Sequence, residues 1–232
     1  MTGGGPGQRD GRGAGVPAWL AALARSVAGM VVPLPLRPPP AGGRPSAVLI
    51  LFGEGPSGPD LLLVQRSLLL RSHAGQPAFP GGSIDEDDGG PVGAALREAA
   101  EEAHVDPAGV QVLTALPELF ISRSGFSVTP VLAWWRDPVP ARPGDPEEVA
   151  AVARVPVAEL ADPANRLTVR YPSGQAGPAF RVGGMLVWGF TAMLVDMLLA
   201  IGGWERPWDT GPAQDLPPDV LRAALGDQAP GR

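Results

Sequence analysis

Three glutamates close together, Glu98, Glu101 and Glu102, lie in the stretch Leu96 to Val105 (LREAAEEAHV). On a helix, the i, i+3, i+4 spacing sets all three carboxylates on one face. Like charges so placed repel by roughly a few tenths of a kcal/mol per pair. The cluster gains a use if a cation sits against it, and hard divalent ions such as Mg²⁺ or Mn²⁺ take oxygen ligands of this kind. A solvated acidic face has the same pattern, so the helix alone leaves both readings open. The preceding loop, Phe79-Pro80-Gly81-Gly82, adds two glycines, which let backbone carbonyls approach a ligand or metal.

Composition removes the competing chemistries. The chain of 232 residues has no Cys, and its 18 basic residues are all Arg. A cysteine nucleophile, a disulfide framework, a thiolate zinc site and a catalytic lysine are therefore excluded. Two His in total make a histidine-rich metal site a poor fit. A net charge of −6 and a pI near 4.9 speak against binding to a nucleic-acid backbone. A small anion could still bind through a divalent cation.

Elements to position these groups are legible around them. Ala47 to Phe52 (AVLILF) reads as a buried strand, with Leu61 to Gln65 as its hairpin partner. Pro91 suits the first turn of a helix running to about Ala103. Val92, Leu96, Ala99 and Ala103 make an apolar face for packing on a sheet. Strands are expected at 110–121 and 127–135, a short helical turn near Glu159 and a long helix over 185–200. Strands with two well-separated helices give an α+β class, an α/β/α sandwich with a mixed sheet between helices.

The composite pattern extends from Gly82 through Asp88 to Arg97-Glu98, Glu101-Glu102 and His104. It resembles the Nudix box of the Nudix hydrolases. Upstream, Leu62-Leu63-Val64-Gln65-Arg66-Ser67, Arg71, Gly75 and Phe79-Pro80-Gly81-Gly82 look like the extra motif of the coenzyme A pyrophosphatase subgroup. Ser124-Gly125-Phe126-Ser127-Val128-Thr129-Pro130, residues 147–163 and Val187-Trp188-Gly189-Phe190-Thr191-Ala192 resemble further segments of that group. The resemblance covers about residues 45–202. Three positions depart from it: Val64 stands where Thr is usual, Asp88 where Glu is usual, and His104 where Gly is usual.

The resemblance implies metal-dependent hydrolysis of a pyrophosphate in a nucleotide derivative, with water attacking phosphorus. It makes Glu98, Glu101 and Glu102 metal ligands, with the Gly81 carbonyl as a further ligand and Glu98 also placed to orient the water. Glu148, or else Glu147, is the later acid that would complete the site. Arg97 is expected to orient the glutamates. Arg66 and Arg71 could meet substrate phosphates or cover apolar surface, and Phe79 and Gly82 are expected beside the substrate. His73 is either a loop residue or a contact. Phe126 and Trp188 read as core residues, and His104 as a helix-end residue.

The leading expectation is an Mg²⁺- or Mn²⁺-dependent coenzyme A diphosphatase releasing 3′,5′-adenosine bisphosphate and 4′-phosphopantetheine, from free or acylated coenzyme A. The alternatives are a Nudix hydrolase of another nucleoside diphosphate derivative such as ADP-ribose, and a catalytically silent Nudix ligand-binding module. The expected partner is a small-molecule substrate, with no nucleic acid and no membrane, in a homodimer and in the cytoplasm. Gly (32) and Pro (29) are densest at the two ends. The expected organisation is a disordered tail over 1–16, a helical appendage and Pro-rich linker over 17–44, the Nudix domain over 45–206, and a Pro/Gly-rich tail over 207–232.

Overall fold

The computed structural model describes residues 15–33, 36–39, 41–70, 73–171 and 173–225. The expected tail before residue 15, the last residues from 226 and Arg71 lie outside the described residues.

Helix α1 (Ala18–Ala28) comes first, followed by strands β1 (Arg44–Gly55), β2 (Gly58–Arg66), β3 (Pro77–Ala78) and β4 (Gly81–Ser83). Helix α2 (Pro91–Ala103) precedes β5 (Val110–Ala115), β6 (Leu119–Ile121), β7 (Phe126–Trp135), β8 (Val149–Pro156) and the short α3 (Val157–Leu160). Then come β9 (Arg166–Arg170), β10 (Ala176–Val182), β11 (Met185–Val187), α4 (Gly189–Ile201), β12 (Gln214–Asp215) and α5 (Pro218–Leu225).

β1 is central because its apolar run is buried on both faces. It pairs in parallel with β7 on one edge. On the other edge it pairs antiparallel with β2 towards its C-terminal end and with β4 towards its N-terminal end. The strand period of two then sorts the side chains. Leu49 and Leu51 join Ala94, Ala95, Ala99 and Ala103 of α2 on one face. Ile50 and Phe52 join residues of α1 and α4 on the other. The expected α/β/α sandwich is the fold, with α2 alone among the described helices on one side of the mixed sheet.

Five expectations need correction. α1 is not an appendage: Leu20, Leu23 and Val27 are buried in the same core as Phe52 and Trp134. Trp19 meets Phe52 and Trp204 edge-on at 5.3 and 5.2 Å. Each such aliphatic side chain stabilises by about 1.5–3 kcal/mol when buried, so this face could not stay in water. The domain also does not stop at residue 206. β12 pairs with β9, and Leu216, Val220 and Leu221 pack in a third cluster with Val169 and Ala179. The side chain of Arg166 is 1% exposed and ties this region down, pairing with Asp196 of α4 and with Glu205 at 3.7 Å while lying over the Trp208 ring. A guanidinium buried so deeply requires carboxylate partners.

The face that α2 buries is made of Ala94, Ala95, Ala99 and Ala103, not of Val92, which is 37% exposed. Alanines let the helix lie close on the sheet. The stretch read as one helix from 185 is a strand and then a helix, broken at Gly189 with φ 66°. Within 110–121 the strand is interrupted between Ala115 and Leu119, where Pro117 lacks a backbone donor.

Candidate active site

Two elements face each other across the site: α2, and the loop from β3 into β4. In the β1–β4 ladder, the Leu49 N–H donates to the Pro80 carbonyl at 2.8 Å and the Ile84 N–H to the Pro45 carbonyl at 3.2 Å. Hydrogen-bonded pairs alternate with non-bonded ones in an antiparallel ladder. The Val48–Gly81 pair therefore falls at a non-bonded position, and the N–H and carbonyl of Gly81 point out of the ladder. The Gly81 N–H is used there, donating to Glu102 Oε2 at 3.1 Å.

Glu102 is the buried acid of α2, its side chain only 5% exposed. Burial pushes its carboxyl up to about 7. The Gly81 N–H and Arg66 pull it down, while the charges of Glu98 and Glu148 push it further up. Glu98, 17% exposed, is also raised, first by burial and then, against the opposing pull of Arg97, by Glu101 and Glu148. Glu148 is exposed, and its charge is felt at both buried acids.

Arg97 has all five N–H donors engaged. Nε and Nη2 take the two oxygens of Asp88 at 2.8 and 3.1 Å, and Nη2 also reaches the Ser83 carbonyl at 3.1 Å. Nη1 donates to Glu98 Oε1 and to Glu101 Oε2, each at 3.0 Å. A guanidinium so engaged has no further donor to offer a substrate. These hydrogen bonds hold Asp88 below the usual carboxylate range. Asp88, noticed in the sequence only as an unusual acid, is the anchor that fixes Arg97.

The expected ligand set is brought together in part. Glu98 and Glu102 face the Gly81–Gly82 loop, whereas Glu101 is 57% exposed and turned onto Arg97. No ready-made cluster of three metal-binding side chains exists among the described residues. Two acids pushed up by burial and by the charges of neighbouring carboxylates are nonetheless the condition that a cation relieves. The donor set that fits is Glu98, Glu102 and the outward carbonyl of Gly81, all hard oxygens.

Other expected site residues go elsewhere. Phe79 is 2% exposed in the core beside α4, so it cannot reach a substrate. Gly82 makes room: a Cβ there would fall 2.6 Å from the Cδ of Glu98. Arg66 points Nη1 at Glu102 Oε1, 3.5 Å away, as a counter-charge to the buried acid. Glu147 donates its N–H to Asp145 at the exposed turn before β8. His73 has φ 55° and places Nδ1 3.1 Å from Gln76 Oε1, within its own loop. Phe126 lies under the Arg44 guanidinium, and Trp188 packs with Tyr171 in the third cluster.

Residues 43–173, more than half of the chain, match the family described as NUDIX domain. The chain belongs to the Nudix family. It is 45% identical over 120 residues to the Uncharacterized Nudix hydrolase NudL of Shigella flexneri, covering 52% of this chain and 61% of that protein. It is 46% identical over 116 residues to the protein of the same name from Escherichia coli K12, covering 50% and 59%. The match thus spans about three fifths of the length of these curated relatives. A solved structure, the Nudix hydrolase RenU from M. smegmatis, aligns with TM-score 0.50 at 21% identity over 75% of this chain and 98% of its own, a likeness of fold.

The helix that carries the Nudix residues ends at His104, with φ 54° and ψ 34°, where the Val105 N–H closes back on the Ala99 carbonyl at 3.2 Å. A left-handed helix end favours glycine. His104→Gly is expected to raise stability by about 0.5–1 kcal/mol, or roughly 1–3 °C in Tm. Thermal unfolding checks this, and a lower Tm would mean that the Nδ1 contact to the Arg142 carbonyl, at 3.3 Å, is worth more than the relieved backbone.

Two contacts bordering the site join residues that the sequence alone did not bring together. A Cβ on Gly144 would fall 2.9 Å from the carbonyl carbon of Glu101, so the loop leading to Glu148 is seated on the end of α2. The Thr191 hydroxyl donates to the Pro77 carbonyl at 3.1 Å across the core.

Proposed function

We propose that this Nudix protein hydrolyses the pyrophosphate bond of coenzyme A, free or acylated, with Mg²⁺ or Mn²⁺ as cofactor. What carries the reading is the contact between the subgroup-like motif and the acids: Arg66 lies against Glu102, and the Ser67 N–H donates to the Glu148 carbonyl at 2.8 Å. The segment that distinguishes a coenzyme A enzyme in the sequence thus borders the acids that would do the chemistry.

In this reading water adds to one phosphorus of the anhydride and the bond from that phosphorus to the bridging oxygen breaks. Two phosphate monoesters form, 3′,5′-adenosine bisphosphate and 4′-phosphopantetheine, and a proton is released. A divalent cation at this site would supply charge neutralisation for the joined phosphates. Glu98 and Glu102, with the Gly81 carbonyl, would hold it; Arg97 fixes the angle of Glu98, which would orient the water. Glu148, the exposed acid whose charge reaches both, takes up the proton. With no lysine in the chain, arginines are the side-chain cations left for the remaining phosphate charge.

The products test the reading. Incubation with coenzyme A and Mg²⁺ or Mn²⁺ is expected to give those two monoesters on chromatography, and EDTA to stop their formation. Release of orthophosphate alone, or an intact substrate, would overturn it.

A further inference from the structure

We propose that Thr191, in α4, is a positioning residue that holds the Gly81 N–H in place for Glu102. Thr191 is 7% exposed and lies 114 residues from Pro77 in sequence. The β2–β3 ladder explains why its hydroxyl is needed. The Arg66 N–H donates to the Gln76 carbonyl at 3.1 Å, which makes Arg66–Gln76 a bonded pair and Gln65–Pro77 a non-bonded one. The Pro77 carbonyl therefore points away from β2, into the core towards α4. A buried carbonyl without a partner is costly, and the Thr191 hydroxyl satisfies it.

The short segment from Pro77 to Gly81 is then held at successive points. Pro77 is bonded by Thr191, and Phe79 is buried in the same core cluster as Ala192, Leu194, Val195 and Leu198 of that helix. Pro80 accepts from Leu49, and Gly81 donates to Glu102. β3 has only two residues and begins with a proline, so its pairing with β2 alone is a weak hold. α4 thereby sets the height of the Gly81 amide above α2.

The inference rests on Glu102 being a residue of the site, and its test separates the two ideas. Amide hydrogen exchange of the full-length metal-free protein is compared for wild type, Thr191→Val and Thr191→Ser, alongside turnover of coenzyme A with Mg²⁺. In Thr191→Val the Gly81 amide is expected to exchange about tenfold faster while Leu51 and Leu132 stay protected. Its kcat is expected to fall roughly tenfold with KM within about twofold, and Thr191→Ser to restore both. Unchanged Gly81 protection overturns the inference, as does protection lost equally across the sheet, a serine variant no better than valine, or local loss with unchanged kcat. If wild type does not hydrolyse coenzyme A, the proposed substrate fails while the exchange arm still decides the role of Thr191.

Discussion

Replacing Glu102 by Gln is expected to abolish turnover and, at the same time, to stabilise the metal-free fold at neutral and higher pH. Loss of the carboxylate removes the deepest acid of the site, an effect of about a hundredfold or more on activity. The stability effect follows from linkage. The folded carboxyl titrates at about 7, above its ordinary 4.5. A raised carboxyl contributes its full stabilising effect below about 4.5 and loses it as pH rises through about 7. For Glu102, a shift of this size corresponds to about 3 kcal/mol. Metal-free wild type should therefore weaken between pH 5 and pH 8, and Glu102→Gln should weaken much less. The amide oxygen can still accept from the Gly81 N–H, so the loop contact survives. Urea unfolding in EDTA at the two pH values checks this. An equal pH dependence in the two proteins would remove Glu102 as its source.

Gly82→Ala should separate activity from stability in the opposite way to Gly81→Ala. Neither glycine has a positive φ, so the backbone accepts alanine at both positions. At Gly82 the new Cβ meets the far end of Glu98, 2.6 Å from Cδ, and that flexible end can swing aside. Stability should change by less than about 1 kcal/mol. A catalytic carboxylate displaced by about 1 Å costs on the order of a hundredfold in kcat. At Gly81 the Cβ meets backbone, the Ala47 carbonyl and the Val48 Cα at 2.7 Å, which cannot move without parting β1 from β4. Overpacking there should cost about 2–3 kcal/mol. Kinetics and urea unfolding of both variants decide; a fully active Gly82→Ala protein would show that Glu98 need not stay where it is.

Much of this was legible in the sequence because it is local. The i, i+4 spacing of Glu98 and Glu102, Pro91 at the helix start and the apolar run of β1 each depend on neighbours in the chain. Glu101 shows the limit of spacing. It lies at the helical position that should join the other two, yet Arg97 pulls it outward, because Arg97 is fixed by Asp88 and has a donor left for it. Phe79 shows the limit of motif position, since a residue two places before Gly81 points into the core beneath the site. The strands between 166 and 182 draw no assignment and the segment beyond 206 reads as tail, because these stretches carry Gly and Pro. Their pairing is long-range, and the buried Arg166 that secures them has partners 30 and 39 residues away. α1 was misread for the same reason: its apolar face was visible, but its aromatic partners were not.

The acids of α2 are proposed to serve a coenzyme A pyrophosphatase. A competition measures it most directly. Equal concentrations of coenzyme A, ADP-ribose and a nucleoside triphosphate are incubated together with the full-length protein and Mg²⁺ or Mn²⁺, and all three are followed by chromatography. Coenzyme A should disappear first, at least about tenfold faster than either rival, a preference of about 1.4 kcal/mol in the transition state. Preferential loss of ADP-ribose or of the triphosphate would contradict the claim.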